Sequence, residues 1–144
     1  MAEQTESSIV VDGAPARVMA VIADLASYPE WSHGVKSVEV LARGADGLPA
    51  SAHFVVDAGA IKDSYTLAYD WHGDRSVTWR LAEAGMLKAL DGAYELTDNG
   101  DGTTKVVYRL SVDVSIPMIG LIKRKAEKVI IDTALRGLKE RVEA

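Results

Sequence analysis

Asp63 is the first residue here with the makings of a catalyst. In the alternating run from Ile61 to Trp71 it shares the parity of Tyr65, Leu67, Tyr69 and Trp71, with Lys62, Ser64, Thr66 and Asp70 opposite. A carboxylate on an otherwise apolar strand face needs a partner or serves as a general base, and Tyr65 and Tyr69 beside it offer phenols for proton transfer. These three are the catalytic candidates. The competing reading is a wet carboxylate at a strand end, next to the Ala58-Gly59-Ala60 turn.

Other reactive groups are sparse. His33, His53 and His72 fall in different predicted elements, and His53 has outward parity, so no metal is expected. Zero Cys removes thiolate chemistry, disulfides and Cys-based zinc sites. Asp98-Asn99-Gly100-Asp101-Gly102 lacks the alternating acids and closing Glu of a calcium loop and reads as a hairpin turn. Lys123-Arg124-Lys125 and Lys128 suit an anionic head group or a solvated helix face. No cofactor is implied.

Two long elements and a strand-rich middle must position these groups. Ser8-Ile9-Val10-Val11 is a first strand, and Gly13-Ala14-Pro15 leads into a helix with Val18, Met19, Val21, Ile22 and Leu25 on its apolar side. Tyr28-Pro29 is predicted to stop it, with a short helical turn over Glu30 to Gly34. Period-two runs follow: Val38 and Val40; Ala52, Phe54 and Val56; Tyr65 to Trp71; Val77, Trp79 and Leu81; Leu90, Gly92, Tyr94 and Leu96; Val106 to Val114. Short turns between them predict an antiparallel meander of about seven strands.

The stretch from Pro117 to Val142 reads as one long helix with two apolar stripes. Met118, Ile119, Ile122, Ala126, Val129 and Ile130 form one, and Ile131, Ala134, Leu135, Leu138 and Val142 the other. The second stripe is predicted to pack on the sheet, and the first to close over another apolar region, a cavity or a homodimer or partner contact. Gly137 suggests close approach to a strand. The expected architecture is α+β: a seven-stranded curved antiparallel sheet gripping the C-terminal helix and enclosing a space.

At 144 residues the chain reads as a single domain, 1–144. A net charge of −5 disfavours nucleic acid as a partner, and Met1 to Ser8 resembles neither a signal peptide nor a membrane anchor. A cytoplasmic protein without integral membrane association is expected.

Ser8-Ile9-Val10-Val11, Ala14-Pro15-Ala16-Arg17-Val18, Asp24-Leu25-Ala26-Ser27-Tyr28-Pro29-Glu30-Trp31 and Val35-Lys36-Ser37-Val38-Glu39-Val40 follow in order and spacing the opening of a known family. On these residues the chain resembles the START-like (SRPBCC) superfamily, in its polyketide cyclase/dehydrase and ubiquinone-binding branch. The resemblance implies a helix-grip fold, with two short N-terminal helices and one long C-terminal helix, and a hydrophobic tunnel between helix and sheet. It implies binding of a polyketide, isoprenoid quinone or lipid, lined by Trp31, Phe54, Tyr65, Leu67, Tyr69, Trp79, Leu90, Tyr94, Tyr108, Met118, Ile122 and Ala126. The alternative activity is a polyketide aromatase/cyclase or dehydratase working by positioning and acid/base catalysis. Cyclases of the superfamily commonly project an arginine into the tunnel, whereas Arg80 and Arg109 here have outward parity. Gly92 is inward, and a leucine there blocks uptake if the glycine borders open space.

Overall fold

The computed structural model describes residues 4–32, 34–57, 62–84, 87–114 and 120–144. The alternating runs become β1 (Thr5–Asp12), β2 (Val35–Arg43), β3 (Pro49–Asp57), β4 (Lys62–His72), β5 (Ser76–Ala84), β6 (Leu87–Asp98) and β7 (Thr103–Val114). They form one curved antiparallel sheet of order β1-β7-β6-β5-β4-β3-β2, a meander from β2 to β7 with β1 added beside β7. Register shifts interrupt the β2/β3, β4/β5 and β6/β7 ladders, and such irregularities bend a sheet locally.

The helical link between the edge strands β1 and β2 departs from the sequence expectation. Helix α1 (Pro15–Ala23) ends at Asp24 and is followed by a 3-10 turn over Leu25–Ser27 and by α2 (Tyr28–Trp31). Pro29 therefore lies in the first turn of a helix instead of ending one, where its missing N–H costs nothing. Asp24 breaks the run because its carboxylate accepts from the Ser27 hydroxyl at 2.7 Å, a local bond that competes with helix continuation.

Helix α3 (Gly120–Glu143) lies along β1 and β7. Ile131, Leu135, Leu138 and Val142 join Val11, Val18, Ile22 and Val106 in the core, as their stripe predicts. Arg17 of α1 closes the helix's C-terminal end, its Nε and Nη2 donating to the Val142 carbonyl at 3.1 and 2.7 Å. Of the other stripe, Val129 is 61% and Ile130 39% exposed on this chain, and Ala126 is half-buried. Met118, Ile119 and the side chain of Ile122 lie outside the described residues.

Gly137 is a close-approach position, but its neighbour is α2 and not a strand. A β-carbon there would stand 2.6 Å from the Trp31 carbonyl oxygen. Trp31 is thus held at the crossing of α2 and α3.

Candidate functional site

The chain has five Tyr, three Trp and one Phe, and all nine rings belong to one web of contacts. Strand register creates its centre. Phe54 lies opposite Tyr65, Tyr69 opposite Trp79, and Tyr94 opposite Tyr108, with ring centroids 5.7, 6.0 and 4.7 Å apart. Directly opposed residues on one face of a sheet have neighbouring Cβ atoms, so aromatic pairing follows from alternation plus register. From α2, Tyr28 meets Trp31 at 4.8 Å and Phe54 at 6.3 Å, which ties the helical link to the sheet. The Tyr28 hydroxyl donates to the Ile22 carbonyl at 2.5 Å.

Trp79 reaches both Tyr94 and Tyr108 because it lies over Gly92, its register partner on β6. A β-carbon on Gly92 would be 2.4 Å from the indole. Gly92 therefore borders a ring and not open space, so the condition under which a leucine there would block uptake is not met. The covering ring comes from the neighbouring strand and is assignable only once register is known.

The phenols share one electrostatic character. Burial is the main cause that raises Tyr28, Tyr69, Tyr94 and Tyr108 well above the ordinary phenol range, with neighbouring phenols adding to it. Tyr65 is pushed up to about 12 by burial and then by the Asp63 carboxylate. All five are protonated across the physiological range, so each hydroxyl can donate as well as accept. Among the described residues the hydroxyls of Tyr65, Tyr69, Tyr94 and Tyr108 have no hydrogen-bond partner. Trp31 Nε1 is the one enclosed side-chain nitrogen or oxygen in that condition among those residues.

Of the residues predicted to line a site, Phe54, Leu67, Trp79, Leu90, Tyr94 and Tyr108 are buried, and Trp31, Tyr65 and Tyr69 are half-buried. Asp63 is half-buried at the start of β4, and its Oδ1 accepts from the Ser64 N–H at 2.8 Å. Met118 lies outside the described residues. Arg109 faces away from the web, bound to Glu6 and Glu95 at 3.2 and 2.8 Å, and Arg80 is exposed. His53 bonds Thr66 at 3.0 Å, and His72 stands 3.6 Å from Asp70; His33 lies outside the described residues. Among the described residues no group of three metal-binding side chains gathers.

The sequence reading missed Tyr28 and Trp71 as members of the web, and it missed Glu127. Glu127 is fully buried, 1% exposed, between α3 and the β1/β7 edge. Its Oε1 accepts from the Thr5 hydroxyl at 2.7 Å; its Oε2 accepts from the Val112 N–H at 2.7 Å and the Lys123 ammonium at 2.6 Å. This also corrects the basic run, since Lys123 turns inward. The available signal was helical parity, which puts Glu127 one turn before Ile131 on the buried stripe.

Comparison with known proteins agrees with this architecture. The family described as "Polyketide cyclase / dehydrase and lipid transport" matches residues 2–143. Among curated proteins no relative matches the chain. A START superfamily protein from Mycobacterium smegmatis is similar in structure, with a TM-score of 0.91, 19% identity and 97% of each chain covered. A protein from Thermus thermophilus gives a TM-score of 0.79 at 23% identity, again over 97% of each chain. The Zhui aromatase/cyclase from Streptomyces gives 0.77 at 16% identity, over 99% of this chain and 94% of that one. At such identities the likenesses establish the fold, and the sequence match supplies the family. The chain belongs to the polyketide cyclase/dehydrase and lipid transport family.

Proposed function

We propose that this protein binds a hydrophobic small molecule, a polyketide, isoprenoid quinone or lipid, between the sheet and α3, and acts as its carrier. The observation that carries the reading is the set of four phenols, Tyr65, Tyr69, Tyr94 and Tyr108, without partners among the described residues. None of the four is sealed from a water-sized molecule, which supports a space beside them that a ligand's oxygens can reach. Rings that bring large apolar area and a polar tip suit a pocket that grips a ligand and orients its oxygens. Burying roughly 300–400 Å² of ligand surface contributes on the order of 8–10 kcal/mol before ordering costs, enough for micromolar binding.

A second reading, an aromatase/cyclase or dehydratase, is favoured by Asp63 acting electrostatically on Tyr65. It would use the carboxylate and phenols for proton transfer. One experiment separates the two. Native mass spectrometry of protein purified from its own host is expected to show a co-purifying apolar ligand, and Asp63→Asn and Tyr69→Phe are expected to retain it. An empty protein that turns over a poly-β-ketone thioester, slowed roughly 100-fold or more by either substitution, overturns the carrier reading in favour of the enzyme.

A further inference from the structure

We infer that Asn99 is a site of covalent modification: its side-chain amide is lost to ring closure by the Gly100 backbone nitrogen, leaving an aspartate or isoaspartate, and the hydrogen bonds of the turn set the rate. The inference is independent of what the protein binds.

Fold geometry places the reactive pair. The β6/β7 turn holds Gly100 and Gly102 in the left-handed region, with φ of 83° and 90°, so a glycine must follow Asn99. That same glycine presents its nitrogen with no side chain in the way. Asn99 is the single asparagine of the chain, and Gln4 the single glutamine. Both Asn99 and Gly100 are exposed, open to the water that the reaction consumes.

The reaction balances with water alone. The Gly100 nitrogen gives up its proton and bonds to Asn99 Cγ, the Cγ–Nδ2 bond breaks, and the side-chain nitrogen leaves as ammonia after taking a proton from solvent. One water then opens the five-membered succinimide. Opening at Cγ restores the backbone and leaves an aspartate; opening at the main-chain carbonyl leaves isoaspartate, whose backbone runs through the side chain.

Both reacting groups are tethered in the folded turn. The Gly100 N–H donates to Asp98 Oδ1 at 2.9 Å, and that negative carboxylate opposes formation of the amide anion. Asn99 Nδ2 donates to Thr103 Oγ1 at 3.0 Å, and the Thr103 hydroxyl is free to accept because its own proton goes to Asp101 Oδ1 at 2.6 Å. These ties slow ring closure. They do not stop it, since exposed bonds at a hairpin end open locally without unfolding the sheet. The product adds a carboxylate between Asp98 and Asp101 and removes the donor to Thr103. Isoaspartate also lengthens a turn closed by the Asn99 N–H on the Thr103 carbonyl at 3.1 Å.

Mass spectrometry of the full-length protein, incubated beside the free peptide of residues 97–104, tests this. Both should gain about 1 Da on that segment, faster in alkali because more of the Gly100 nitrogen is deprotonated. The folded protein should lag the peptide about tenfold, the weight of two exposed hydrogen bonds. Thr103→Val frees the amide and should speed the folded protein about threefold, and Asn99→Ser should abolish the gain. A gain that persists in Asn99→Ser, or a folded protein more than about 100-fold behind the peptide, overturns the site. A folded protein that keeps pace with the peptide, or a Thr103→Val variant no faster than the wild type, overturns the control by the turn.

Discussion

Glu127 sits beside Thr5, the first residue of β1. The last pair of the β1/β7 ladder among the described residues is Thr5 with Leu110, and beyond it the Val112 N–H donates to the Glu127 carboxylate. Lys123, 18% exposed at its side chain, supplies the countercharge that makes burial tolerable. Glu127→Gln keeps the shape but strands the ammonium, and is expected to lower stability by about 3 kcal/mol in urea unfolding. A double-mutant cycle with Lys123→Met should give a coupling above about 1 kcal/mol; additivity would show that the pair does not act as a unit. Asp63 could be assigned to a strand face because strand parity is binary. Glu127 was equally open to the parity argument, but a helix face is broad and charges on it are usually solvated, so its burial emerges only with the sheet edge in place.

Among the larger pieces, alternation made the strands legible almost to their ends, because each strand buries one face and the pattern repeats every two residues. Helix breaks were harder. Pro29 restricts the residue before it and also opens helices, and the choice between these turned on the Asp24–Ser27 contact. Gly137 shows a similar limit: the need for a small residue was visible, but its neighbour was not, since α2 meets α3 through distant sequence. Gly137→Ala would gain about 1 kcal/mol of helix propensity. The new methyl would press on the Trp31 carbonyl, where backbone must move, and this outweighs the gain. The expected result is a net loss of about 1–2 kcal/mol, read as a Tm lowered by roughly 3–6 °C. A raised Tm would mean that α2 is free to yield.

Taken together, the burial of every tyrosine gives the protein a pH signature. A phenol whose folded pKa lies above its unfolded value contributes stability that is complete below the unfolded value and disappears as pH rises through the folded one. For Tyr65 that window runs from the ordinary phenol value of 10.0 to about 12, and the other four extend it upward. Thermal stability should carry no phenol-dependent slope between pH 7 and 9 and fall steeply above about pH 10. Tyr65→Phe should shallow the fall. An unchanged alkaline slope in that variant would mean that the ring is no more buried in the folded state than in the unfolded.

The placement of Trp79 over bare backbone has an optical corollary. Its indole stands 6.0 Å from Tyr69 and 5.5 Å from both Tyr94 and Tyr108, so light absorbed by those phenols passes to an indole of the web, from Tyr69 to Trp71 at 5.5 Å as well. Trp31 and Trp71 join the same assembly of rings, which leaves no chromophore elsewhere to dilute the signal. Any guest lodging among them would dim or recolour the intrinsic glow of the entire protein, which thereby carries its own unlabelled dye for occupancy.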